Sequence, residues 1–197
     1  MRAGFFSADL AYPSRFASGQ GLRPYIRIEM SFHEPALKPI DRSIQTFIAR
    51  FQDKPPEVSS FPCIDPVETA ADKLSALAWR VCTRQRGAVG DDPTIIRHLH
   101  DLAALETYIA GASEFKDLVR QTAQNDTGRG GAAAPLDDAE RFAAMLDLLR
   151  SDKSWASEYE TFVLQVSFAG FHETISFAEA FAATRRLVAT VYREENA

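Results

Sequence analysis

The sequence predicts an α+β fold, with a small sheet region over residues 1–64 and a predominantly α-helical region over residues 65–197. Three observations carry this reading. Tyr25 to Phe32 alternates cleanly, with Ile26, Ile28, Met30 and Phe32 facing one side and Tyr25, Arg27, Glu29 and Ser31 the other, which is the period of a strand. Two later stretches carry apolar residues at helical spacing behind an Asp-Pro opening, at Asp65-Pro66 and at Asp92-Pro93. Beyond Leu136 the apolar residues keep helical spacing almost to the end of the chain.

Element by element, residues 1–21 mix aromatic residues with Pro13, Gly19 and Gly21, show no sustained period and read as a connection. The strand at Tyr25–Phe32 is bracketed by Pro24 and Pro35. Ile44, Phe47, Ile48 and Phe51 then recur at helical intervals, giving a short helix or irregular segment over Asp41–Phe51 before the Pro55-Pro56 break. A weaker strand follows over Val58–Ile64. Asp65 can cap the free amides of the first long helix, Pro66 suits its first position and Glu68 helps its dipole; the helix runs to about Arg84. Arg86–Gly90 is a loop, a second helix starts at Asp92-Pro93 and stops at Gly111, and a third covers Ser113–Gln124. Asn125–Pro135 is a mobile Gly-rich loop, followed by helices over Leu136–Ser151, Ser154–Phe168 and Ser176–Glu194. No internal repeat occurs, which disfavours a solenoid.

With 197 residues, 46% of them hydrophobic and 25% charged, the composition is globular and sufficient for one domain or one domain with a helical appendage. A net charge of −5 argues against polyanion binding by the whole surface and confines any nucleic acid to a local patch. The two cysteines, Cys63 and Cys82, lack CxxC spacing and a His cluster, so neither zinc nor a structural disulfide is expected, and a reduced, cytoplasmic setting is the default. There is no run of about 18 apolar residues, so no membrane association is expected.

Chemistry is concentrated in three places. On the first long helix, Leu74, Leu77, Ala78 and Val81 form an apolar stripe while Lys73 and Arg80, seven apart, share an azimuth at its edge. On the second, Leu99, Leu102 and Leu105 point one way and Arg97 and Asp101, four apart, share another face as a ready ion pair, with His98 and His100 crowding the same turn. Glu29 is a carboxylate projected from a strand. Lys73 can grip a phosphate as a point charge and Arg80 can add a second contact. Each has a plain alternative: Glu29 as an exposed strand residue, Lys73 as a surface lysine paired with Glu68 or Asp72. His33 and His172 have no evident partners. Phe142, Leu146, Leu149, Phe162, Val166 and Phe168 are most simply core; Trp155 and Tyr159, four apart, are either core or an exposed aromatic pair for a partner or a base.

The run from about Leu22 to Leu105 resembles the AbiEii/AbiGii family of nucleotidyltransferase-like toxins, abortive-infection proteins of bacterial type IV toxin–antitoxin systems. The resemblance rests on Ile28-Glu29-Met30, on Glu68 followed by Ala71-Asp72-Lys73-Leu74-Ser75-Ala76-Leu77 and Arg80, and on Arg97-His98-Leu99-His100-Asp101-Leu102. It implies a polymerase-beta-like nucleotidyltransferase core followed by a helical region, transferring a nucleotide from an NTP with Mg²⁺; some relatives modify the acceptor end of tRNA, and others prefer GTP. On that pattern Lys73 and Asp101 are catalytic, Lys73, Arg80 and Arg97 bind nucleotide, and Glu29 is a metal carboxylate. An antitoxin is the implied protein partner.

Two departures accompany it. His98 stands where the family's last motif usually has its first aspartate. The family's first motif, a Gly-Gly or Gly-Ser turn before an Asp-x-Asp strand, is not found before residue 22, and Gly130-Gly131 with Asp137-Asp138 is a decoy in the wrong order with adjacent acids. The expectation is therefore a chain holding the C-terminal two-thirds of such a toxin. Its metal carboxylates are lost, cut away by truncation or supplied by another chain, and it has little or no transferase activity alone. The competing readings are a catalytically inactive helical binding module that contacts an antitoxin or other protein, and an unrelated α+β structural protein whose motifs are chance.

Overall fold

The computed structural model describes residues 5–13, 25–32, 34–129, 133, 135–166 and 174–192. Two antiparallel strand pairs lead into a helical bundle, which is the α+β class expected. Strands β1 (Phe5–Ala11) and β2 (Tyr25–Ser31) pair in the register Phe6↔Met30, Ala8↔Ile28 and Leu10↔Ile26, so the alternation of β2 is matched across the ladder to give one apolar and one polar face. β1 replaces the expected connection. Its Phe6-Ser7-Ala8-Asp9-Leu10 alternation is only three apolar residues deep and draws its partner from β2, a cross-strand fact that a single segment does not display. β3 (Ile40–Ile44) pairs with β4 (Val58–Cys63), with a shift of register between Arg42 and Ile44, and the short helix α1 (Phe47–Phe51) lies between them. The expected helix over Asp41–Phe51 is thus split. Ile44 ends a strand, and Thr46 caps a single helical turn by accepting the Ala49 amide at 3.1 Å.

The bundle begins with α2 (Pro66–Thr83), opened as expected by Asp65, whose carboxylate accepts the Val67 amide at 2.8 Å. A 3₁₀ turn at Pro93–Ile96, capped by Asp92, leads into α3 (Arg97–Ile109), which ends at Gly111 in a positive-φ conformation. Then come α4 (Phe115–Asp126), α5 (Asp138–Ser151), α6 (Ser154–Val166) and α7 (Phe177–Tyr192). The expected Gly-rich loop starts late: Asn125 and Asp126 finish α4, Thr127–Arg129 form a 3₁₀ turn, and most of the remainder lies outside the described residues, as do His33, Phe168 and His172.

α2 is the axis of the bundle, packed against α3, α4 and α5. Ala70, Ala71, Leu74, Leu77 and Ala78 are all buried, and the alanines let neighbouring helices approach closely. Leu99, Leu102, Phe142, Met145, Leu149, Trp155 and Tyr159 complete the core, so the Trp155–Tyr159 pair is packing rather than an exposed aromatic platform. Cys63 and Cys82 are both free.

Three polar devices fasten the bundle. Arg141 on α5 is fully buried; it donates to the Ala123 carbonyl at 3.0 Å and the Leu136 carbonyl at 3.2 Å, and its guanidinium lies 5.2 Å from the Trp79 ring centroid. Arg84 bridges Asp91 and Glu158 while Arg86 bridges Glu158 and Asp152, and both guanidinium groups lie over the Trp155 ring. Glu68, expected to help the helix dipole or to pair with Lys73, is buried and accepts the backbone amides of Ala36 and Leu37, both at 3.0 Å, which ties the chain after β2 to α2.

Replacing Arg141 by Ala strands the buried Ala123 carbonyl, removes the donor of the Leu136 carbonyl and leaves a cavity, a loss of about 3 kcal/mol of stability. Urea unfolding monitored by far-UV circular dichroism checks this; a change well under about 1 kcal/mol would show that the guanidinium is dispensable.

Candidate functional site

The lysine motif and the last motif come together between α2 and α3. Lys73 Nζ donates to Asp101 Oδ2 at 2.7 Å, across 28 positions of sequence, with both side chains about one-third or less exposed. This corrects two expectations. Lys73 reaches across to α3 for its short contact, and Glu68 is held instead by Ala36 and Leu37. Asp101 pairs with Lys73 instead of with Arg97, whose guanidinium makes a long 3.5 Å contact with the Thr94 hydroxyl. The helix packing that buries Leu74, Leu77, Leu99 and Leu102 brings the cation of one helix opposite the acid of the other. Spacing within a single helix carries no sign of that.

His98 sits at the centre. Its ring is buried, 8% exposed, and its Nδ1 has no hydrogen-bond partner. Burial pushes its pKa down to about 4, and Lys73, Arg97 and Arg80 push in the same direction against the weaker opposing pull of Asp101. The imidazole is therefore neutral at physiological pH, and the three cations named from the sequence all lie within electrostatic reach of it. On the far side of α3, His100 packs against the rings of Tyr159 and Phe162 at centroid distances of 6.5 and 6.2 Å, so the two histidines do different work.

Arg80 is half-exposed and lies 3.7 Å from Asp92. The Asp92 carboxyl is held below its usual range: its hydrogen bonds from Thr94, together with Arg97 and Arg80, outweigh the opposing effect of its burial. Asp92 therefore links the two arginines. Counted round His98, the three cations Lys73, Arg80 and Arg97 exceed the two acids Asp101 and Asp92 by one positive charge, which suits a phosphate.

Glu29 lies elsewhere. It is exposed on the polar face of β2 opposite Ser7, next to the Arg27–Asp9 pair at 2.7 Å, and no contact among the described residues brings it to Lys73 or Asp101. Among the described residues no group of three or more His, Cys, Asp or Glu side chains gathers as a metal site. Asp101 is engaged by Lys73, and Glu29 is a lone carboxylate. These residues do not by themselves fit a nucleotidyltransferase magnesium centre, and no metal-dependent step is assigned to them.

The strand carboxylate, the lysine helix and the last motif occur in one order along the chain, and the latter two face each other in space. A family model described as nucleotidyl transferase AbiEii toxin, type IV TA system, matches residues 3–183. The chain belongs to the AbiEii family. It is thus a nucleotidyltransferase-like member of a type IV toxin family. Neither the curated proteins nor the solved structures contain a match. No helix among the described residues is long and apolar enough to cross a membrane.

His98 also sets a pH dependence. Its folded pKa of about 4 lies below the ordinary histidine value of 6.5, so the unfolded chain binds the proton first and stability falls as pH drops from 6.5 towards 4. The full loss is roughly 3 kcal/mol by the standard conversion. Denaturant unfolding at intervals between pH 7 and pH 4 should show this slope, and His98→Phe should flatten it; an unchanged slope in the variant would remove His98 as its source.

Proposed function

We propose that this chain is the nucleotide-handling part of an AbiEii-type nucleotidyltransferase. In this reading Lys73 and Arg97 receive the triphosphate of an NTP, with Arg80 alongside, and the nucleotide passes to an acceptor such as tRNA. The observation that carries it is the Lys73–Asp101 contact at 2.7 Å beside a neutral His98, because it leaves a half-open site with one surplus positive charge on a rigid two-helix scaffold. Asp101 positions the Lys73 ammonium before a nucleotide arrives. Lys73 then stabilises phosphate charge as a point cation, and Arg97, with only a long contact to Thr94, keeps most of its donors for phosphate oxygens. Glu29, on β2 away from this pair of helices, has no part in this reading.

A second reading has its own observation. Phe47, Ile48 and Phe51 on α1 are 86%, 71% and 91% exposed, and Phe5, Ile26 and Phe32 are also open to solvent. Such apolar exposure marks a protein-contact surface. An antitoxin, the partner that a toxin–antitoxin family suggests, would then bind a module whose nucleotide site is vestigial.

Isothermal titration of the chain with each NTP in the presence of Mg²⁺ separates the two. Saturable binding that Lys73→Ala weakens at least tenfold, with antitoxin binding unchanged, is the expected result. An absence of binding to all four nucleotides by the folded chain overturns it and leaves the binding module.

A further inference from the structure

β1 and β2 form a sheet of two strands whose apolar face is open to solvent. Their register sets Phe6 beside Met30, Ala8 beside Ile28 and Leu10 beside Ile26 on that face, and Ser7 beside Glu29 and Asp9 beside Arg27 on the other. Among the described elements, each of the two strands packs extensively on its partner strand alone. Phe6, Leu10, Ile26, Ile28 and Met30, with Phe32 just past the end of β2, are between 41% and 72% exposed. A two-stranded ladder is marginal by itself in water. This one also has residues 12–24 between its strands, too many for the tight turn that fixes the register of a hairpin. Burial of one face is then what holds the register, because a slip of one residue exchanges the two faces. We infer that a second copy of this chain covers the apolar face, the two ladders packing face to face about a two-fold axis.

Area, charge and shape each favour a second copy. At about 200 Å² for a large apolar side chain, the six exposed residues leave about 600 Å² open on each chain. Two copies together bury about 1,200 Å², above the roughly 1,000 Å² that a specific interface needs. The chain carries a net charge of −5, which opposes self-association in general, but the apolar face holds no charged residue. On the opposite face Arg27 is paired with Asp9 through two hydrogen bonds, at 2.7 and 2.8 Å. Two copies therefore meet on this face without like charges opposed.

The shape of the face suits its own image. Ala8 is its one small residue, flanked by Phe6 and Leu10, so β1 is hollow at its middle where β2 carries the branched Ile28. A two-fold axis parallel to the strands and midway between them lays β1 of one protomer over β2 of its partner. Ala8 then faces the partner's Ile28, Phe6 the partner's Met30 and Leu10 the partner's Ile26, so each hollow receives a branched side chain. An axis across the strands would instead set Ala8 on Ala8 and Ile28 on Ile28, a void beside a clash. Pairing of the two ladders edge to edge would leave the apolar face wet. Phe47, Ile48 and Phe51 belong to α1, outside this face, and remain for a different protein. The assignment stands whether or not Lys73 and Arg97 bind nucleotide.

Gel filtration with light scattering, run on the full chain over about a hundredfold range of concentration, reads the association directly. Wild type is expected to have the mass of two chains at the upper end and to dissociate on dilution. Ile28→Asp and Ala8→Lys each bring an unpaired charge to the centre of the interface and are expected to weaken association at least tenfold. An equimolar mixture of the two variants restores the dimer, since the new lysine of one chain then faces the new aspartate of the other; a variant that had merely lost its fold would not be rescued in this way. Ser7→Lys, on the polar face, keeps the wild-type mass. A wild type that is monomeric at every concentration overturns the inference and leaves the face to a different protein such as an antitoxin. A dimer that survives both central substitutions, or a mixture that stays monomeric, overturns it as well.

Discussion

Everything in this molecule is arranged round the burial of α2. A helix buried this extensively must meet neighbours on several sides, and the sequence provides for it with small residues at Ala70, Ala71, Ser75 and Ala78 between Leu74, Leu77 and Val81. Even the polar members of the helix are used inward: Ser75 donates to the buried Asp126 of α4 at 2.7 Å. Only one edge of α2 is left free to carry charge, and Lys73 and Arg80 stand on it. The apolar packing and the candidate site are consequently two faces of one constraint, since the close approach of α3 that seals Leu99 and Leu102 also brings Asp101 to Lys73.

The helices were legible in the sequence because their signals are local. The Asp65-Pro66 opening and the apolar stripe of α2, the Asp92-Pro93 start of the turn before α3 and the Gly111 stop are all written within a few residues. The strand region was less legible because half of its information is on the partner strand. β1 has too few apolar residues to announce itself, and Ile44 continues the helical spacing of Phe47, Ile48 and Phe51 while belonging to β3. Where a residue suits both periods, hydrogen bonding to β4 decides, and that pairing is set by tertiary structure.

The site was legible as a set of residues and not as a geometry. Lys73, Arg80, Arg97 and Asp101 do gather, all within electrostatic reach of His98. Their pairing was misread, because an i, i+4 ion pair on an exposed helix is worth only a few tenths of a kcal/mol and yields easily to a shorter contact across a helix interface. Glu29 did not join the group. Glu68 was read as a first-turn acid, a motif residue and a possible partner of Lys73, and its actual hold on Ala36 and Leu37 was not foreseen. The one available hint for Glu68 was the acid placed between Val67 and the buried alanines, where a carboxylate needs donors from somewhere.

Those donors come from Ala36 and Leu37, and that contact has a mechanical meaning. Glu68 is five residues from Lys73 on the same helix, so the chain at Ala36 and Leu37 is pinned to the very lever that carries the candidate phosphate ligand. A side chain that grips two consecutive backbone amides resists sliding and twisting alike, much as a two-pronged key does in a lock. Moving Ala36 and Leu37 by a single residue along the chain would take both amides off the carboxylate, so the grip also fixes the register in which the chain meets α2.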